Sequence, residues 1–215
     1  MKSSLTWMQD YVDVDMNQDM QAFADKLTIA GIPVEQVEYW GTEVKKVKTG
    51  KILQIDKHPD ADKLVVCQVD MGDEQLQIVT AATNVRVGQI VPVAVHGAHL
   101  PGGTKIKRSK LRGVLSNGMF CSAHEFGFDD SLLLPEEREG IWILPPDTPL
   151  GVDAADYLQV RDVVYEYELT ANRADCFSMV GLSREFAVLS GKEARYPDIS
   201  VKECDTPIDG KVKVS

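Results

Sequence analysis

The sequence predicts an α+β protein in which a five-stranded β-barrel is inserted into a small, discontinuous, mainly helical domain. Three observations point there. Residues 16–30 and 179–190 carry apolar side chains at helical spacing. The stretch between them alternates at strand spacing, and glycine, proline and asparagine cut it into short runs.

The first helix is read from DMNQDMQAFADKLTIAGIP, where Met16, Met20, Phe23, Leu27 and Ala30 recur at three- and four-residue steps. Asp15 or Asn17 is placed to cap its start, and Gly31 followed by Pro33 ends it. Such a helix cannot bury its stripe alone, so it needs a partner further along the chain.

From about Val44 the pattern changes to strands: VKTGKILQIDKH, VVCQVDMG, LQIVTAA, QIVPVAV, the extended pair in GTKIKRSKLRGV, and GIWILP at 140–145. Short antiparallel strands in this number suit a closed barrel, because closure removes exposed edges. An OB-fold is the candidate and a sandwich the competitor. After Pro149-Leu150-Gly151 come a short helix in DAADYLQ, a strand in DVVYEYELT and a helix in MVGLSREFAVLSG. In that last helix Val180, Leu182, Phe186 and Leu189 keep the helical period, Ser178 is placed to cap and Gly191 to stop it. The expected domains are therefore 1–40 and 152–195 as two halves of a helical frame and 41–151 as the inserted barrel. Residues 196–215 read as the truncated start of a further domain.

Composition narrows the class. With 44% hydrophobic and 26% charged residues the chain reads as a soluble globular protein. It has neither a bilayer-length apolar run nor a signal-peptide core. Cys67, Cys121, Cys176 and Cys204 are scattered without a CxxC pair, which fits reduced thiols and a cytoplasmic location. The formal net charge of −10 is unevenly spread. Residues 44–112 hold 12 Lys/Arg against 6 Asp/Glu, whereas 1–43 hold 2 against 8 and 113–215 hold 9 against 19. A basic middle between acidic flanks suggests a region that meets a polyanion.

The motifs sharpen that expectation. Lys105, Lys107, Arg108, Lys110 and Arg112 put five cations within eight positions, and alternation sends some of them to one face of a strand. Ser116, Asn117 and Ser122 can donate to phosphates or base edges, while Phe120 is placed for stacking or, more simply, for the barrel core. HPDADKL (58–64) reads as a rigid turn that ends on Lys63. His96, His99, Cys121 and His124 offer zinc-ligand chemistry, but Gly97-Ala98 marks a turn and nothing fixes the two pairs together. No nucleophile elbow, Walker loop or dinucleotide fingerprint occurs.

HPDADKLVVCQVD, IVTAATNVRVGQIVPVA and GAHLPGGTKIKRSKLRGVLSNGMFCS resemble the tRNA-binding OB domains fused to or associated with aminoacyl-tRNA synthetases. ELTANRADCFSMVGLSRE narrows the likeness to the N-terminal part of the bacterial phenylalanine–tRNA ligase beta-subunit family, over residues 1 to about 195. The resemblance implies an inserted tRNA-binding barrel in a cytoplasmic ligase that attaches phenylalanine to tRNA(Phe). It also implies an alpha-subunit partner in an (αβ)2 tetramer, with ATP and Mg2+ used by the complete enzyme. No cofactor, catalytic residue or metal ligand maps onto this chain. The implied tRNA-binding residues are Lys63, Asn84, Lys105, Lys107, Arg108, Lys110, Arg112, Ser116 and Ser122, with Arg173 pairing a carboxylate beside Asn172 and Asp175. Two other readings compete: a scaffold that docks synthetase subunits or domains, and a stand-alone tRNA-binding protein.

Overall fold

A computed structural model describes residues 1–205, 208 and 210–213. In chain order the elements are β1 (Lys2–Ser4), α1 (Leu5–Met8), α2 (Met20–Ile29), β2 (Val34–Trp40), β3 (Lys45–Lys57), β4 (Val65–Asp70), β5 (Gln75–Thr80) and β6 (Ile90–Leu100). They continue with β7 (Thr104–Lys105), β8 (Ser109–Leu111), β9 (Val114–Ser116), β10 (Gly118–Phe120), α3 (Ala154–Tyr157), β11 (Asp162–Tyr167) and α4 (Met179–Ser190). The chain divides into two compact units, Met1–Glu35 with Glu166–Ser215, and Gln36–Tyr165. Strands β2 and β11 carry the chain between them.

In the first unit α2 starts four residues later than its apolar pattern suggests. The Asp19 carboxylate, rather than Asp15 or Asn17, accepts from the Gln21 and Ala22 N–H groups and fixes the start. Met20, Phe23, Ala24 and Leu27 are buried along one stripe. Helix α4 is capped by Ser178, whose hydroxyl accepts from Gly181 N–H, and stops at Gly191 with φ +64°. Phe186 of α4 and Phe23 of α2 place their rings 5.2 Å apart, so the two stripes cover each other. The unit is mixed rather than mainly helical, because β1 and the end of β11 contribute strands to it. The strand-like alternation after residue 195 produces no strand among the described residues, and part of that segment lies outside them.

The second unit is built on antiparallel strands in the order β10-β6-β3-β4-β5, with β7 added to β6 and β8-β9 forming a separate hairpin. Ile52, Cys67, Val69, Ile78, Val91, Val93 and Phe120 are buried on its inner face. Phe120 therefore belongs to the core, where burying such a side chain is worth roughly 1.5–3 kcal/mol. A second cluster joins Val44, Val47, Ala94 and Cys121 to Ala154 and Ala155 of α3. This packing puts α3, which the sequence pattern assigned to the frame, with the strands.

The closed barrel expected from the strand pattern is not what forms, since no strand ladder joins β5 to β10. Isolated hydrogen bonds latch that side instead, among them Asn117 N–H donating to Gln77 O at 2.9 Å and Val79 N–H to the Ser116 hydroxyl at 3.0 Å. GIWILP does not become a strand either. Its one strand-type pairing among the described residues is the bridge of Leu144 to Ile90, because Pro145-Pro146 follow at once and proline has no N–H for a ladder. No helix among the described residues is long and apolar enough to cross a membrane.

Candidate nucleic-acid interface

The basic segment is held by the end of β6. After β6 the chain turns through Pro101-Gly102-Gly103, with φ +73° and +77° at the two glycines, and returns antiparallel as β7. Ile106 fastens the return: its N–H donates to Ala98 O at 2.9 Å and its carbonyl accepts from Gly97 N–H at 2.8 Å. Ile106 is half-buried, and Lys105 and Lys107 on either side of it are exposed. Arg108 N–H donates to His96 Nδ1 at 3.2 Å. The β8-β9 hairpin then pairs Ser109 with Ser116, Lys110 with Leu115 and Leu111 with Val114.

Lys63, Lys105, Lys107, Arg108, Lys110 and Arg112 are all exposed, and among the described residues none has a carboxylate within ion-pair distance. Some cations elsewhere do. Arg161 binds Asp153 and Asp156, Arg173 binds Asp175 and Glu185, Lys192 lies 3.7 Å from Asp13, and Lys48 lies 4.0 Å from Asp73. None of the six cations is taken up in an ion pair of the fold among the described residues, although Asp60 and Asp62 line a cavity with Lys63 and Arg112.

Three of the polar candidates are engaged within the fold. Both ends of the Asn84 amide bind one residue of the 140s loop, donating to Ile141 O at 2.8 Å and accepting from Ile141 N–H at 3.1 Å. Ser116 is buried; its hydroxyl accepts from Val79 N–H and donates to Gly118 O at 2.8 Å. Ser122 gives its N–H and its hydroxyl to the Glu125 carboxylate.

Strand register brings in residues that the sequence pattern missed. His99 stands opposite Lys45 on one side and Lys105 on the other, so Lys45, His99 and Lys105 form a row across β3, β6 and β7. All three are exposed. Only the doublet Lys45-Lys46 hinted at this row, because the pairing that makes it is set 54 and 60 positions away.

The zinc-type residues are not gathered. Cys121 is buried in the second core cluster, and burial pushes its thiol up to about 12. His96 is taken by Arg108, and His124 faces the carbonyls of Phe128 and Arg138. Asp175, Cys176 and Glu185 lie close together, yet the Arg173 guanidinium bridges them, at 2.6 Å from Glu185 and 3.1 Å from the Cys176 sulfur. A cation already fills that grouping, so it does not fit Mg2+.

Residues 47–153 match the family described as "Putative tRNA binding domain". Phenylalanine–tRNA ligase beta subunits are similar over nearly the whole chain. The one from Moorella thermoacetica is 52% identical over 92% of this chain and 24% of its own length. That from Syntrophus aciditrophicus is 45% identical over 94% and 24%, and that from Bacillus cereus 44% identical over 99% and 26%. The chain thus spans about a quarter of the length of the curated relatives it matches. Among solved structures, a MetRS related protein from Pyrococcus horikoshii aligns at 19% identity and a TM-score of 0.36, over 64% of this chain and 96% of that one. That likeness is too distant to inform the fold.

Proposed function

Since residues 47–153 match the tRNA-binding domain family and the chain matches the N-terminal region of phenylalanine–tRNA ligase beta subunits, we propose that it grips tRNA(Phe) for such a ligase. The observation that carries this reading is the cluster of exposed cations on β7, β8 and the turns beside them. They suit phosphodiesters, whose neutralisation releases counterions and makes binding strongly salt-dependent. Lys45 and His99 extend the surface. Asn84, Ser116 and Ser122 hold Ile141, Val79 with Gly118, and Glu125, respectively.

In this reading the open sheet is an OB-type fold latched at Ser116 and Asn117 and inserted between two segments of a frame. The whole protein is a cytoplasmic aminoacyl-tRNA synthetase. Its alpha subunit completes an (αβ)2 tetramer, and ATP and Mg2+ act in parts of the enzyme outside this chain. The buried thiols of Cys67, Cys121 and Cys176 are consistent with the cytoplasm.

The test is filter binding of tRNA(Phe) across a salt series. The wild-type chain loses affinity steeply as salt rises, and the triple variant Lys105→Gln, Lys107→Gln, Arg108→Gln lowers affinity and flattens the slope by about three. An unchanged slope sinks the assignment.

A second contact is favoured by an apolar cleft of about 500 Å³ in the same unit, lined by Tyr39, Trp40, Pro101, Phe126, Phe128 and Leu132 among others. Trp40 and Leu132 are exposed there, as suits a protein surface that docks the alpha subunit or another part of the beta subunit. Co-purification with the alpha subunit, lost in Trp40→Ser with Leu132→Ser, tests that contact.

A further inference from the structure

Arg112 sits at the tip of the β8-β9 hairpin, in a two-residue turn closed by the pair Leu111 and Val114. Its φ is +44° and that of Gly113 is +85°, the positive values at both central positions that define a type I′ turn. Gly113 suits that geometry. Arg112 does not: such positions favour asparagine, aspartate or glycine, and a long side chain in the left-handed region is strained. Strain of this kind persists where the surroundings hold it and a function uses it.

The surroundings do hold it. His58 is buried, and its ring lies between two backbone groups. Its Nδ1 accepts from Asp60 N–H at 3.1 Å, which leaves Nε2 to donate to Leu111 O at 2.9 Å, one residue before the tip. On the β9 side Gln77 Nε2 donates to Leu115 O at 2.7 Å. The hairpin is therefore clamped against the 58–64 turn, where Arg112 and Lys63 line one cavity of about 470 Å³. Asp60 and Asp62 share its wall. With two cations and two carboxylates the cavity is close to neutral, a poor trap for a free phosphate dianion. A singly charged diester, already held by the lysines a few positions back along the chain, is the anion that suits it.

We propose that Arg112 is a dedicated phosphodiester contact for RNA, kept in a strained turn for that purpose, and that His58 is the positioning residue that aims it. This rests on the tRNA-binding reading above. It explains why an arginine occupies a turn position that asparagine would fill with less strain.

The experiment compares the 215-residue chain with Arg112→Asn, His58→Gln and His58→Leu by tRNA(Phe) filter binding across a salt series, with thermal melts in parallel. Arg112→Asn is expected to melt at the same or a higher temperature, to bind about 5–100-fold more weakly and to reduce the salt slope by about one. His58→Gln keeps a donor for Leu111 O and retains binding. His58→Leu loses the same slope increment, and combining it with Arg112→Asn adds little further loss, since both remove one contact. If the wild type binds tRNA and Arg112→Asn matches it in affinity and slope, the inference is wrong. A lowered melting temperature in Arg112→Asn overturns the strain argument. A wild type without salt-dependent tRNA binding instead overturns the broader reading on which the inference rests.

Discussion

At His124 both ring nitrogens face acceptors, Nδ1 at 3.0 Å from Phe128 O and Nε2 at 3.3 Å from Arg138 O, with Asp130 3.2 Å away. Only the imidazolium can donate from both nitrogens. The two carbonyls raise the His124 pKa above its ordinary value, and the carboxylates of Asp130 and Glu125 reinforce them against partial desolvation. Arg138, whose carbonyl is one of the acceptors, is the cation on the same loop. The sign follows from linkage: with the folded pKa raised, this clamp is fully present below the ordinary histidine value of about 6.5 and is lost as pH rises through the raised value. Trp142 reports on it, because its ring packs edge-on against Phe128 with centroids 5.5 Å apart. We expect a step in tryptophan fluorescence above pH 6.5 in the wild type and none in His124→Gln. Identical titrations of the two proteins would show that the clamp does not titrate.

At the scale of elements, Ser116 separates fold from site. The sequence offered its hydroxyl for RNA, whereas the structure spends it on Val79 N–H and Gly118 O. Ser116→Ala leaves a buried N–H without an acceptor, which costs about 1–3 kcal/mol. A chemical melt should show that loss, while the salt slope of tRNA binding stays at the wild-type value; a changed slope would return Ser116 to the interface. Helix α4 gives a parallel case. A Cβ on Gly181 would overlap Asp175 O, so Gly181→Ala should destabilise the first unit by roughly 1–3 kcal/mol, read by circular dichroism. These elements also show what a sequence can disclose. The start and stop of α4 were legible because Ser178 and Gly191 act on backbone groups within one turn. The start of α2 was misplaced because three candidate caps, Asp15, Asn17 and Asp19, offer the same local chemistry. The open seam beside β5, and the row of Lys45, His99 and Lys105, depend on pairings between distant segments, which periodicity does not encode. Charge density revealed the basic segment. It did not reveal that Asn84, Ser116 and Ser122 were already committed to their neighbours.

For the whole molecule, the question is how a chain of net charge −10 would hold the polyanion proposed for it. Screening supplies the answer. At 0.1 M salt the Debye length is about 10 Å, so an RNA phosphate responds to the cations it touches and little to carboxylates elsewhere on the protein. At 0.01 M it is about 30 Å, comparable with a small domain, and the acidic residues of 1–43 and 113–215 then act on the same RNA. Local attraction and overall repulsion should therefore pull apart as salt falls. We expect a plot of log affinity against log salt that is steep between about 0.1 and 0.3 M and flattens below about 0.03 M, where repulsion offsets the counterion gain. Filter binding from 0.01 to 0.3 M salt measures the curve directly. Replacing several exposed carboxylates outside residues 44–112 with their amides should straighten its low-salt end and leave the steep part unchanged, because the contacts themselves are untouched. A curve that is straight in the unaltered chain would mean that the acidic segments lie too far from bound RNA to act on it, and that the basic surface alone sets both affinity and rate of encounter.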